Sequence, residues 1–323
     1  MTILAHPSVA RAAANTLQRI TRAAQTLIRR SQSGATNPYA RWPEYPRLVR
    51  ELTIPTSVAP APVVVYTPPG GGARAPVHVN FHGGGYVLPQ YGTDDPVCRY
   101  LAAEAGCVVI DVDYVVAPQF AFPAPPQQAF EVVQWVAVAA HGEEHGWDSR
   151  RLTIGGQSAG GALAAAVARQ ALERGGPAIA LQVLHYPPLD LVTPLREKRA
   201  RIANPMLRPW MGDVFDNAYV PQSARRADRL VSPAHPSETA DLTGIAPALV
   251  VTAENDRLRA EGQHYAERLQ RVGALVAYHE VPNADHGYDV KDAQLARSVY
   301  ALIAQHLKRA AEHRGATSQA FSS

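Results

Sequence analysis

An α/β fold, with a mostly parallel sheet covered by helices on both faces, is the architecture this sequence predicts. Three observations carry it. Short β-like apolar runs alternate with helix-length stretches along most of the chain. Glycine-rich turns sit directly at the ends of two of those runs. One long insertion breaks the rhythm on the carboxyl side of a strand, where sheets of this kind bind ligands.

The elements follow in order. Residues 9–30 read as an amphipathic helix: Val9, Ala13, Leu17, Ile20, Ala24 and Leu27 recur at three- and four-residue spacings, with Arg11, Arg22 and Arg29 opposite. Its apolar face is alanine-rich and lacks aromatic anchors, which favours packing against the chain's own domain over lying on a membrane surface. Residues 31–46 are polar and contain proline, a linker or cap segment. Strand-like runs come at 48–54, 63–66 and 77–81, separated by Pro and Gly clusters. A helix near 94–105, a strand at 107–112, a helix near 126–140 and a strand at 152–155 follow. The alanine-rich helix 159–173 leads to a strand at 179–185. After the insertion come a strand at 248–252, a helix at 258–271, a strand at 275–281 and a helix near 291–312.

The insertion occupies about 60 residues between His185 and Ala248, where the alternation calls for a short connection. Met206, Trp210, Met211, Phe215 and Tyr219 crowd into it at helical spacings. It is read as a cap, drawn from about 190–230 and shared with the N-terminal helix. Met206, Trp210, Met211 and Phe215 are expected to line an apolar pocket beneath it. The chain thus divides into N-terminal cap helices and linker at 1–46 and a main α/β domain at 47–323.

Composition bounds the function. Of the 323 residues, 46% are hydrophobic and 18% charged, enough for a large core and far from a disordered composition. The formal charge is only +3, with the basic residues scattered, so no nucleic-acid partner is expected. Cys107 opens an apolar run and reads, with Cys98, as a free thiol in a reducing compartment. No run of about 18 apolar residues predicts a membrane span. Arg11, Arg19 and Arg22 interrupt any secretory signal, so the expected location is cytoplasmic, without membrane contact. No metal or organic cofactor is expected, since no His/Cys/carboxylate spacing suits one. A homodimer is compatible with the sequence.

Two motifs carry the chemistry. His82-Gly83-Gly84-Gly85 follows a strand, and its glycines let the backbone approach a substrate carbonyl and aim N–H groups at it. The amides of Gly84 and Gly85 are the expected oxyanion donors, with Gly83 as a third option. Gly156-Gln157-Ser158-Ala159-Gly160 joins a strand to a helix, and small residues on both sides let Ser158 point away from the backbone. At that helix N-terminus the free amides favour developing negative charge, and the amide of Ala159 is the remaining oxyanion donor. The base must be a histidine. His286 lies in a loop after the strand 275–281, whereas His279 and His264 fall inside elements and His185 closes its own strand. The orienting carboxylate should lie between serine and histidine in the chain. Asp256 follows a strand there, with Glu254, Asp190 and Asp285 as rivals. Ser158, Asp256 and His286 together imply a serine hydrolase.

These residues resemble the hormone-sensitive-lipase-like branch of the α/β-hydrolase family, from about 75 to 310. The resemblance extends to Asp113-Tyr114 with Ala117-Pro118, to Phe122-Pro123, and to Asp256 and Leu258 with Glu261. It implies an α/β-hydrolase fold: an eight-stranded, mostly parallel sheet with helices on both faces and a helical cap. It also implies carboxylesterase activity on short- to medium-chain acyl esters through an acyl-enzyme. A lipase at a lipid surface, an amidase or lactonase, and a non-catalytic receptor are the alternatives. There are two departures from the family pattern: Gln157 stands where an aspartate is usual, and the segment 114–119 lacks the usual Arg and Glu. Losing both charges together points to an ionic network replaced by neutral packing.

Overall fold

The structure, a computed structural model, describes Ile3, Pro38 and residues 6–30, 41–71, 74–89 and 92–320. The linker expected at 31–46 therefore lies in good part outside the described residues. Eight strands form one sheet: β1 (Val49–Ile54), β2 (Ala61–Tyr66), β3 (Ala75–Phe81), β4 (Val108–Val112), β5 (Trp147–Gln157), β6 (Leu181–His185), β7 (Ala248–Ala253) and β8 (Leu275–Val281). Their spatial order is β1-β2-β4-β3-β5-β6-β7-β8. β2 pairs antiparallel with β1 and β4, and every pairing from β4 to β8 is parallel.

The helices are α1 (Pro7–Arg30), α2 (Asp95–Ala105), α3 (Ala124–Val136), α4 (Ala139–His145), α5 (Ala159–Arg174), α6 (Pro209–Tyr219), α7 (Arg259–Arg271), α8 (Tyr288–Lys291) and α9 (Ala293–Ala320). Side chains alternate across a strand, so a sheet buried on both faces needs apolar residues at consecutive positions. In β7, Ala248 and Val250 join the core under α3, α5 and α7, while Leu249 and Val251 join the core under α2 and α9. The helix expected near 126–140 is in fact two. Val138 turns extended between them, and the Trp147 indole N–H donates to the Val136 carbonyl (3.1 Å), ending α3. Gly142 then lets α4 settle on Trp147, since a Cβ there would lie 2.7 Å from the Trp147 carbonyl oxygen.

The parallel strands set the site. Phe81, Gln157, His185, Ala253 and Val281 end β3, β5, β6, β7 and β8, and the loops that follow them meet at one edge. The excursion between β6 and β7 contains α6, which packs on α1 above that edge. Ala13, Ala14 and Leu17 of α1 pack into the core, and the buried Gln18 amide donates to the carbonyls of Val87 (2.9 Å) and Ala117 (2.7 Å). Ile20 remains exposed, and the side chains of Ala24, Leu27 and Arg29 lie outside the described residues.

Candidate active site

Ser158 lies between β5 and α5 with φ +53°, a left-handed conformation that is costly for any residue with a Cβ. Its neighbours hold it there. A Cβ on Gly156 would lie 2.7 Å from the backbone of Gly160, and one on Gly160 would lie 2.8 Å from the His82 carbonyl oxygen. Both glycines are therefore needed for β3 and the start of α5 to approach. The Ser158 amide donates to the His185 carbonyl (2.8 Å), tying the turn to β6.

The serine is one end of a hydrogen-bonded chain. His286 Nε2 lies 2.9 Å from Ser158 Oγ, and His286 Nδ1 lies 2.6 Å from Asp256 Oδ2. Asp256 Oδ1 accepts from the Leu258 amide (3.0 Å), which fixes the carboxylate. His286 and Asp256 are both buried. Burial pulls the imidazole pKa down, but the Asp256 carboxylate, with Asp289 and Asp285, more than offsets this and leaves it above the usual histidine value.

The glycine loop faces this chain. Gly84 (φ +118°) and Gly85 (φ +60°) adopt conformations that favour glycine, and a Cβ on Gly83 would lie 3.6 Å from that of Ser158. Among the described residues, no hydrogen bond uses the amides of Gly84, Gly85 or Ala159. His82 braces the loop: its Nδ1 donates to the Gly83 carbonyl (2.6 Å), and its ring stacks on Tyr114 at 4.2 Å. The Tyr114 hydroxyl in turn donates to the His82 carbonyl (2.9 Å).

Comparison with known proteins gives the lineage. Residues 78–290 match the family model for the alpha/beta hydrolase fold. The chain belongs to the α/β-hydrolase family. Esterase LipI of Mycobacterium tuberculosis is 34% identical over 251 residues, 77% of each chain. Carboxylesterase NlhH of the same organism is 37% identical over 229 residues, 70% of each chain. Ethyl acetate hydrolase of Pseudomonas putida is 33% identical over 230 residues, 70% of this chain and 71% of the relative. Among solved structures, the esterase of Pyrobaculum calidifontis superposes with a TM-score of 0.79 at 31% identity over 92% of both chains. These relatives place the chain in the carboxylic-ester-hydrolase branch of the family.

In this α/β-hydrolase, Ser158 and His286 open onto a cavity of about 510 Å³, which Gly83, Gly84 and Gly85 also line. Met206, Met211 and Phe215 line it as the sequence led one to expect, but Trp210 does not. Met211 and Phe215 are one turn apart on α6, whereas Trp210 is rotated away and 44% exposed. The rival residues are engaged elsewhere. His185 is buried and within 2.7 Å of the Tyr288 hydroxyl, and burial pulls its pKa down to about 4. Glu254 pairs with Arg201, Asp190 accepts from the Val192 and Thr193 amides, and Asp285 accepts from those of Met206 and His286.

Several contacts at the site had no sequence signal. A buried ion pair joins Lys198 and Glu261 at 2.5 Å, and Lys198 also donates to the Asp190 carbonyl (2.5 Å). Burial pushes Glu261 up to about 7 against the pull of Lys198, and pushes Asp216, on the same wall of the cavity, up to about 6. At the border of the same cavity, Asp289 is buried among Gln157, Tyr186 and Tyr300. Nothing in the sequence joins Gln157 to a residue so far along the chain. Among the described residues, no three His, Cys, Asp or Glu side chains group as a metal site would require. No helix among them is long and apolar enough to cross a membrane.

Proposed function

We propose that the chain is a serine carboxylesterase for short- to medium-chain acyl esters, with Ser158 as nucleophile, His286 as general base and Asp256 as its orienting carboxylate. Ser158 Oγ attacks the ester carbonyl as His286 Nε2 takes its proton. Asp256 holds Nδ1–H and stabilises the imidazolium. The oxyanion is received by the amides of Gly84, Gly85 and Ala159, with Gly83 as a third glycine facing the serine. His286 returns the proton to the departing alcohol, then activates the water that frees the acid. The observation that carries this reading is the unbroken chain from Asp256 through His286 to Ser158, ending at a glycine-lined cavity.

The acyl range rests on the cavity. Phe215 and Met211 roof it, and Lys198 and Asp216 set charged groups in its wall, an arrangement better matched to a short acyl group than to a long one. We read α1 with residues 190–230 as the cap and 47–323 as the catalytic domain. The burial of Ala14 and Gln18 turns that face of α1 inward and supports a soluble esterase over a lipid-surface lipase. The buried free thiols Cys98 and Cys107 support a cytoplasmic location.

The test is hydrolysis of p-nitrophenyl esters from acetate to palmitate by wild type and Ser158→Ala. The expected maximum lies between acetate and octanoate, and the variant should lose on the order of 10⁶ in kcat. Turnover that survives in the variant refutes the nucleophile. A maximum at palmitate favours the lipase, and a silent wild type that cleaves amides or lactones favours those reactions.

A further inference from the structure

We propose that Asp289, held by Gln157, is a positioning residue that fixes the base of the serine turn and the imidazole of His286 together. Three donors surround its carboxylate. The Gln157 side-chain amide (2.5 Å) and the Tyr300 hydroxyl (2.7 Å) donate to Oδ2, and the Tyr186 hydroxyl (2.6 Å) donates to Oδ1. The Gln157 amide also reaches Tyr300 Oη (3.0 Å). Every partner is a donor, so the cluster is satisfied only with one carboxylate in it.

Each arm leads to a reacting group. Gln157 is the residue before Ser158, so its side chain pins the turn from below. Tyr186 packs its ring against the His286 imidazole, with centroids 4.7 Å apart, while its own φ of +39° is held by the bond to Asp289. The other groups facing Asp289 are Arg41, which donates to its backbone carbonyl (2.6 Å), Asp94, and the His185–Tyr288 pair. Two carboxylates at 157 and 289 would repel within hydrogen-bonding distance, whereas exchanging amide and acid between the positions keeps one of each.

This inference rests on the serine-esterase reading, and the test separates the two. Asp289→Asn and Gln157→Glu are isosteric, and together they move the charge across the contact. Each single variant should lose about tenfold in kcat, within the roughly 2- to 150-fold span of coupled neighbours, and the double variant should recover most of it. A purely structural role would not move the titration of His286. The low-field Nδ1–H proton resonance of His286, followed with pH, needs no turnover. It should titrate lower in Asp289→Asn, which loses a nearby negative charge, and return toward wild type in the double variant. A double variant as impaired or as unfolded as the worse single one overturns the proposal, as do unimpaired single variants or an unmoved titration. Single variants that unfold beside a double variant that folds support it. A silent wild type whose His286 titration still shifts would count against the esterase reading and leave the pairing intact.

Discussion

Replacing Gly160 with alanine sets two physical terms against each other with opposite signs. Gly160 sits in the first turn of α5, where alanine is the better helix former by about 1 kcal/mol, so propensity alone predicts a more stable protein. Packing predicts the reverse. The added Cβ would stand 2.5 Å from the Phe81 carbonyl carbon and 2.8 Å from the His82 carbonyl oxygen, where ordinary contact begins at 3.4 Å. All the clashing atoms are backbone, so no side chain can swing aside. The Cβ would also overlap the Phe81 carbonyl oxygen outright, so the end of β3 and the start of α5 must separate by on the order of 1–2 Å, at an overpacking cost of about 1–3 kcal/mol. β3 leads straight into the glycine loop and α5 directly follows Ser158, so the shift parts the nucleophile from the oxyanion donors. A displacement of this size costs about 10²-fold in turnover. The assay is kcat for p-nitrophenyl butyrate beside thermal unfolding, with Gly273→Ala as control. Gly273 has φ +71° and open space around its missing Cβ, so its replacement should lower stability through backbone strain and leave kcat unchanged. A Gly160→Ala enzyme with raised Tm and kcat within about threefold of wild type would refute the reasoning.

Two further outcomes follow from the charges. Catalysis needs neutral His286, whose pKa the Asp256 carboxylate holds above 6.5 despite burial, so kcat/KM should fall as pH drops through a value above 6.5. Asp256→Asn should move that limb lower and cut kcat by about 10⁴, and a wild-type limb near pH 5 would contradict the assignment. Lys198→Met strands the Glu261 carboxylate, and breaking a buried pair costs about 3–5 kcal/mol, a fall in Tm on the order of 10 °C. Glu261, already pushed up to about 7, rises further without the lysine, and a raised folded-state pKa costs stability as pH climbs through it. The deficit in Tm should therefore be larger at pH 8.5 than at pH 6, and equal deficits would show that Glu261 is not the stranded group.

Most of the strands and their order along the chain were legible because valine, isoleucine or leucine recur in them close to glycine or proline, but β5 begins at Trp147, ahead of the run expected at 152–155, in a polar stretch that carries no strand pattern. Ser158, Asp256 and His286 could be nominated because they lie just past strand ends, where small residues or loops free them. The break between α3 and α4 was not legible, because it depends on Trp147 reaching back to Val136. Trp210 misled for a related reason: hydrophobicity at helical spacing marks a face, and only tertiary packing decides that Met211 and Phe215 own it. The departures at 115–119 were visible, but their consequence was not. Gln119 donates to Asn15 (2.9 Å) and accepts from Gln18 (3.0 Å), so neutral amides dock α1 where charges were expected to have vanished into packing. Asp289 was invisible because its partners come from β5, from the residue after β6 and from α9, which only the folded sheet brings together.

Backbone strain gathers at the same edge. Tyr86 (φ +61°), Ser158 (φ +53°) and Tyr186 (φ +39°) all line the cavity, and each such conformation costs about 1–3 kcal/mol. Each is held by contacts that would be lost if it relaxed. Tyr86 stacks on Tyr219 at 3.9 Å, and its carbonyl accepts from the Ala117 amide (2.8 Å). Ser158 is clamped by its glycine neighbours and the His185 carbonyl, and Tyr186 by Asp289 and the Val251 carbonyl. Two of the clamps are shared: His185 and Tyr186 are consecutive, and Asp289 also holds the residue before Ser158. Relaxing Tyr186 therefore loosens the restraints on the serine turn, so the serine and the imidazole keep their spacing as a unit. That coupling is why a carboxylate with no place in the reaction path is expected to register in both kcat and the titration of His286.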